Sequence, residues 1–197
     1  SNQRDGLDPQ QDKGLDAGRG SAPATMISLD PPQHRLYRDF AAHAFTPRRI
    51  EQLEPAIRDL AHQLIDRVAD RVEMDAVDEF ARQIPGTIIA RLLGVPEADR
   101  PQFQAWADAF FEFITPAAAN AAKELNLYFL TLFAERRRDP QEDLISAFLS
   151  TRVEGKTFSD VDLCSLCSLL LLAGNDTTQH LIGNALLCFD TYPETMG

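Results

Sequence analysis

Asp176 and Thr177 stand side by side in the stretch LLLLAGNDTTQHL, residues 169–181. A carboxylate next to a hydroxyl can pass protons through a short hydrogen-bonded relay. The surrounding residues are locally unfavourable choices. Four leucines and an alanine promise a buried helix, which then meets Gly174, Asn175, Asp176, Thr177 and Thr178. A glycine inside a helix costs about 1 kcal/mol against alanine, threonine loses rotamer freedom there, and a buried carboxylate needs a partner. Gly174 permits close approach to the backbone, and Thr177 can hydrogen-bond back to the carbonyl of Ala173 or Gly174, which loosens the helical ladder. Such an opening suits a ligand or a reacting group. The plainer alternative is a polar patch facing a neighbouring helix, and for an arbitrary helix that reading comes first.

His34 and Arg38 form a second candidate, spaced i to i+4 and so on one helical face. Two donors there could bridge a carboxylate or phosphate, with the guanidinium as the bidentate partner. Taken alone the pair reads better as a solvated face, because Arg35 and Asp39 show that the helix is generally charged. Cys164, Cys167 and His180 match three ligands of a zinc site in spacing. On one continuous helix, however, Cys167 and His180 lie about 20 Å apart, so no metal ligand is assigned. The leucines around the two thiols point to packed, inert cysteines rather than to a redox pair. Asn175-Asp176-Thr177 is formally a glycosylation acceptor, read as coincidence in a buried helix. Arg48, Arg49 and the run 136–138 read as solvated helix ends.

The elements that must position these residues are helical. From Ser28 onward the apolar spacing is that of amphipathic helices broken by polar or proline-bearing turns, so the fold class is all-α. Prolines 31 and 32 open the first helix, with Asp30 as candidate cap. Thr46 and Pro47 open the next, which Pro55 splits into a short and a long piece with Leu60, Leu64 and Val68 on one face. Further helices follow through VDEFARQIPGTIIARLLGV, QFQAWADAFFEFI, AAKELNLYFLTLFAERRR and EDLISAFLS. Ser159 with Asp162 makes a capping box that opens a last helix running to about residue 190, over 40 Å long and expected to be central, with its polar island deep inside. Residues 1–25 carry four glycines, two prolines and only two leucines, and read as a polar loop or arm. The remainder, 26–197, reads as one helical unit.

Nineteen basic against thirty acidic residues give a net charge of -11, which opposes nucleic acid and anionic membrane surfaces as partners. The longest uncharged apolar run, residues 163–175, is short of the roughly 20 needed to span a bilayer. There is no basic-then-apolar leader pattern, and three cysteines without a disulfide framework fit a reducing, cytoplasmic setting.

At the two chemical stretches the sequence resembles a family. DPPQHRLYRDFAAHAFTPRRI and LLLLAGNDTTQHLIGNALLCFDTYPE are similar to the helix C and helix I signatures of bacterial cytochrome P450 enzymes, the haem-thiolate monooxygenases. The motif A-G-x-[DE]-T-T is matched by Ala173, Gly174, Asp176, Thr177 and Thr178, and the H-x-x-x-R pair by His34 and Arg38. IPGTIIARLLGVPEADRPQFQAWADAFF and EDLISAFLS with GKTFSDVDL resemble the intervening helices in the family's order. The resemblance implies that His34 and Arg38 bind haem propionates and that Ala173 and Gly174 lie against the distal haem face. Asp176 and Thr177 would relay protons to dioxygen at the haem. It further implies an apolar small-molecule substrate, contacted by the loop at 1–25, the region 110–113 and helix I, and a ferredoxin-type redox partner.

The family's cysteine ligand, its E-x-x-R helix and its opening strands find no match here. E-x-x-R strings at 79–82, 97–100 and 135–138 precede helix I and read as surface ion pairs. The expectation is therefore a central portion of the enzyme, covering the B–C loop through helix I and inactive alone. The alternative is a haem-free helical fragment or assembly module that forms a homo-oligomer through exposed helix faces.

Overall fold

Side-chain caps and prolines set most of the helix ends. The computed structural model describes residues 25–112 and 115–196. The loop expected at 1–25 lies outside them except for Thr25, and Phe113 lies outside them too. After a 3₁₀ turn at Met26–Ser28, helix α1 spans Gln33–Ala44. Asp30 does not cap it through its side chain. Its backbone carbonyl instead accepts from the His34 N–H at 3.0 Å. Thr46 caps α2 (Pro47–Glu51) by accepting from the Arg49 N–H at 3.3 Å. Helix α3 (Leu53–Asp66) places Pro55 third, where its missing N–H would have no partner inside the helix, and the break falls at Gln52.

Residues Val77–Ala81 form a single π turn, with Ala81 and Arg82 donating five residues back to Ala76 and Val77. It leads into α4 (Gln83–Leu93), which Gly94 ends in the left-handed conformation, φ 79°. Helix α5 (Arg100–Phe110) and α6 (Pro116–Arg138) follow, the second capped by Thr115, which accepts from the Ala118 N–H at 3.0 Å. Asp143 caps α7 (Leu144–Ser150), and Ser159 with Asp162 forms the capping box of α8 (Asp160–Thr191). At 32 residues, α8 is about 48 Å long. Among the described residues β pairing is limited to an isolated bridge between Val153 and Lys156.

The core gathers Phe40 of α1, Leu93 of α4, Phe103 of α5, Phe129 and Phe133 of α6, Ile145 of α7 and Leu171 of α8, all fully buried. A smaller cluster joins Leu64 to Ile84 and Ile88. Arg136 departs from the expectation of a solvated helix end. Its side chain is only 13% exposed, its Nε donates to Asp143 at 2.5 Å and its Nη2 to the Gly94 carbonyl at 2.7 Å. One guanidinium thus ties the end of α4 and the start of α7 to α6. Arg137 pairs with Asp160 at the start of α8. The E-x-x-R strings do not pair as surface i to i+3 partners either: Glu79 binds Arg71, Arg82 binds Asp78, and Glu135 contacts Arg136.

Helix α8 is central only through its first half. Leu163, Cys164, Leu166, Cys167, Leu171 and Asn175 are buried, whereas Leu181 and Leu187 are 69% and 65% exposed. The polar island therefore does not sit deep. Asp176 and Thr177 are exposed, and the buried polar residue is Asn175, 3% exposed. No helix among the described residues is long and apolar enough to cross a membrane.

Candidate functional site

On α8 the helical period places Ala173, Asp176 and Thr177 on one stripe, and all three are exposed. The Thr177 hydroxyl donates to the Ala173 carbonyl at 2.6 Å, the back-bond expected of a threonine at this position. Its proton is thereby directed into the helix and its oxygen lone pairs outward. The Asp176 side chain stands beside it but is not its partner in this geometry. His180 Nδ1 lies 2.8 Å from the Asp176 carbonyl and 3.4 Å from its carboxylate, an exposed pair.

Gly174 serves a different neighbour from the one expected of an open groove. A Cβ at this position would come within 2.8 Å of Ile89 Cδ1, so the missing side chain lets α4 approach α8 closely. Asn175, next along, is buried with its Oδ1 lacking a hydrogen-bond partner. Neither relationship is legible from spacing, because both depend on which face α4 covers.

Leu172 and Leu169, just before Ala173, line an open apolar groove of about 510 Å³. Phe110 of α5, Ala122 and Leu130 of α6, Val161 of α8 and Ile27 ahead of α1 add to its apolar part. The groove thus joins three of the regions that the sequence marks as pocket-lining: residue 25, Phe110 and α8.

Helix α1 carries His34, half-buried, and Arg38, exposed, on one stripe. Between them Tyr37 is buried and donates its hydroxyl to Asp162 Oδ1, while Asp162 Oδ2 accepts from the Ser159 N–H at 3.1 Å and hydroxyl at 2.6 Å. The Tyr37 ring also meets Phe158 edge-on, centroids 4.6 Å apart. The helix bearing His34 and Arg38 is therefore anchored at the beginning of α8. Ala173 lies eleven residues further along, about 16 Å by the helical rise. The structure presents His34 with Arg38, and Ala173 with Asp176 and Thr177, as two separate stripes on helices joined at one point.

The cysteines belong to neither stripe. Cys164 and Cys167 are buried, and burial first, then the charge of Asp160, pushes the Cys164 thiol up to about 11. Burial raises Cys167 well above the usual thiol range, with Cys164 and Asp143 adding to it. Cys188 is exposed, fifteen residues past Ala173 and about 22 Å from it along α8. Among the described residues no group of three or more His, Cys, Asp and Glu is arranged to hold a metal ion.

No family model matches the chain. Curated proteins do. Over 172 residues it is 37% identical to cytochrome P450 107B1 of Saccharopolyspora erythraea, covering 87% of this chain and 42% of the relative. It is likewise 37% identical over 186 residues to the erythromycin C-12 hydroxylase of the same organism, covering 89% and 46%. Among solved structures, cytochrome P450 CYP109Q5 from Chondromyces apiculatus superposes with a TM-score of 0.83 at 38% identity, over 88% of this chain and 44% of that one. CYP109E1 from Bacillus megaterium, in complex with testosterone, gives 0.83 at 34% identity, over 89% and 49%. The chain spans less than half the length of the curated relatives it matches. Sequence and helical architecture thus agree with bacterial cytochrome P450s over about 88% of this chain, which matches a helical central portion of those enzymes.

Proposed function

We propose that this chain forms the oxygen-activating and substrate-facing part of a haem-thiolate monooxygenase acting on an apolar small molecule. The carrying observation is the exposed stripe of Ala173, Asp176 and Thr177 at the end of an apolar groove. When bound, haem supplies the oxidative chemistry, with electrons from a ferredoxin-type partner, one oxygen atom entering the substrate and the other leaving as water.

The residues present fit the distal side and the edge of that group. Ala173 is small and exposed, so a flat macrocycle can lie against α8, with the Gly174 backbone beside it. His34 and Arg38 offer adjacent donors to propionates, Arg38 as the fixed charge. Thr177, its own proton held on the Ala173 carbonyl, accepts a hydrogen bond on the open face. Asp176 is exposed beside it, so one bridging water completes the relay to Thr177. None of the three cysteines would serve as the thiolate ligand of haem: two are buried on the packed face of α8 and the third is far from Ala173. By itself the chain accordingly lacks a thiolate positioned for catalysis.

The test is Thr177→Val and Asp176→Asn in the haem-loaded monooxygenase that contains this chain. Oxygen consumption should continue while product formed per oxygen falls. Unchanged product yield in both variants overturns the assignment.

A second reading, self-association without haem, draws on the exposed apolar face of α8 at Leu181, Leu187 and Phe189. Sedimentation of the chain over a range of concentrations checks it: a monodisperse monomer throughout removes it.

A further inference from the structure

His180 continues the open stripe of Ala173, Asp176 and Thr177 one turn further along α8. Its Nδ1 lies 2.8 Å from the Asp176 backbone carbonyl and 3.4 Å from the carboxylate oxygen Oδ1 of the same residue. A carbonyl oxygen can only accept, so Nδ1 carries the proton and Nε2 keeps its lone pair free for solvent. His43 on α1 provides a contrast. Its Nδ1 also meets the carbonyl four residues back, that of Asp39, at 2.6 Å, yet among the described residues His180 is the imidazole that stands within ion-pair distance of a carboxylate as well. Acids on the elements packed against this part of α8 are engaged elsewhere: in the π turn Asp78 pairs with Arg82 and Glu79 with Arg71. The charge that α4 adds is Arg91, which is exposed, and α6 meets α8 at its other end through Arg137 and Asp160.

We propose that His180 is the outer station of the proton relay, taking protons from bulk water at Nε2 and passing them from Nδ1 to the Asp176 carboxylate. This rests on the reading of Asp176 and Thr177 as the relay. A carboxylate in water holds few protons at neutral pH, whereas an imidazole gains and loses one in that range. A proton arriving at Nε2 makes the imidazolium, and the Nδ1 proton then leaves to Asp176. The neutral ring is left with its proton on Nε2, and exchange with water restores Nδ1–H. Asp176 releases its proton through the bridging water towards Thr177 and becomes a carboxylate again, so one proton moves inward and neither side chain is consumed. The 3.4 Å contact is long for a hydrogen bond, and because both side chains are exposed a small rotation closes it. His180 touches no reacting atom: it acts through Asp176, as a positioning residue.

The first test needs no haem. Nitrogen NMR of the neutral imidazoles in this chain should place the His180 proton on Nδ1, the tautomer its hydrogen bond selects. A proton on Nε2 overturns the proposal, because Nδ1 then has nothing to donate. The second test follows product formed per oxygen against pH in the haem-loaded monooxygenase that contains this chain. His180→Asn keeps a hydrogen-bond donor at the position but cannot carry a proton. It should lower the yield roughly tenfold, less than a direct acid–base group supplies, and flatten its dependence over about pH 5 to 8, with the circular dichroism spectrum unchanged. His43→Asn should do neither. If Asp176→Asn and Thr177→Val lower the yield while His180→Asn leaves yield and pH profile unchanged, the outer station is overturned and the relay stands. If Asp176→Asn and Thr177→Val leave the yield unchanged as well, the reading of the relay itself falls.

Discussion

Tyr37 and Asp162, 125 positions apart in sequence, share a buried hydrogen bond that joins α1 to the first turn of α8. The same carboxylate completes the capping box of α8. One side chain thus both starts the long helix and holds the helix that carries His34 and Arg38. The separation between the two candidate stripes is set at this joint.

Removing the Tyr37 hydroxyl leaves Asp162 buried with only its capping partners. Tyr37→Phe should therefore cost about 1.5–3 kcal/mol, the usual range for a hydrogen bond to a charged group. Urea unfolding measures it. A loss below about 0.5 kcal/mol would show that the joint is not the anchor described here.

Gly174 faces Ile89, so helix propensity and packing oppose each other at this position. Alanine should gain about 1 kcal/mol by propensity but collides with the Ile89 side chain. Gly174→Ala is expected to be neutral or destabilising, and Ile89→Val, which removes the Cδ1 atom, should recover stability when combined with it. A double-mutant cycle reads the coupling, expected at about 0.5 kcal/mol or more, and additivity would show that α4 yields freely.

Arg136 and Arg138 lie in the same basic run with different surroundings. Arg136→Ala strands the buried Asp143 and should cost about 3–5 kcal/mol. Arg138→Ala, at an exposed position, should stay within about 0.5 kcal/mol. Thermal melts of the two variants separate the roles, and equal effects would remove the structural assignment of Arg136.

The thiols yield a test in pH. Cys188 should react with a disulfide reagent at neutral pH while Cys164 and Cys167 stay protected. The Cys164 thiol titrates near 11 in the folded chain against a reference of 9.0. The unfolded chain therefore loses its proton first, and stability contributed at this site falls as pH rises from about 9 towards 11. If haem is added to the reduced chain under carbon monoxide, no thiolate-type Soret band should appear. Such a band would mean that one of the three cysteines ligates iron.

Local chemistry was legible from the sequence alone. The caps at Thr46 and Ser159, the limits of α8 and the back-bond from Thr177 to Ala173 all depend on residues within four positions of each other, so spacing determines them. The two motif stripes were visible for the same reason, since i to i+4 neighbours share a helical face wherever the helix lies. Tertiary structure decided the rest. Spacing placed a carboxylate deep in the core, yet Asn175 is buried and Asp176 open, because that depends on which side of α8 α4 covers. The burial of Arg136, the pairing of Tyr37 with Asp162 and the groove along α8 likewise arise from contacts between distant segments. Helical periodicity fixes which residues share a face, and only the arrangement of the other helices fixes what that face meets.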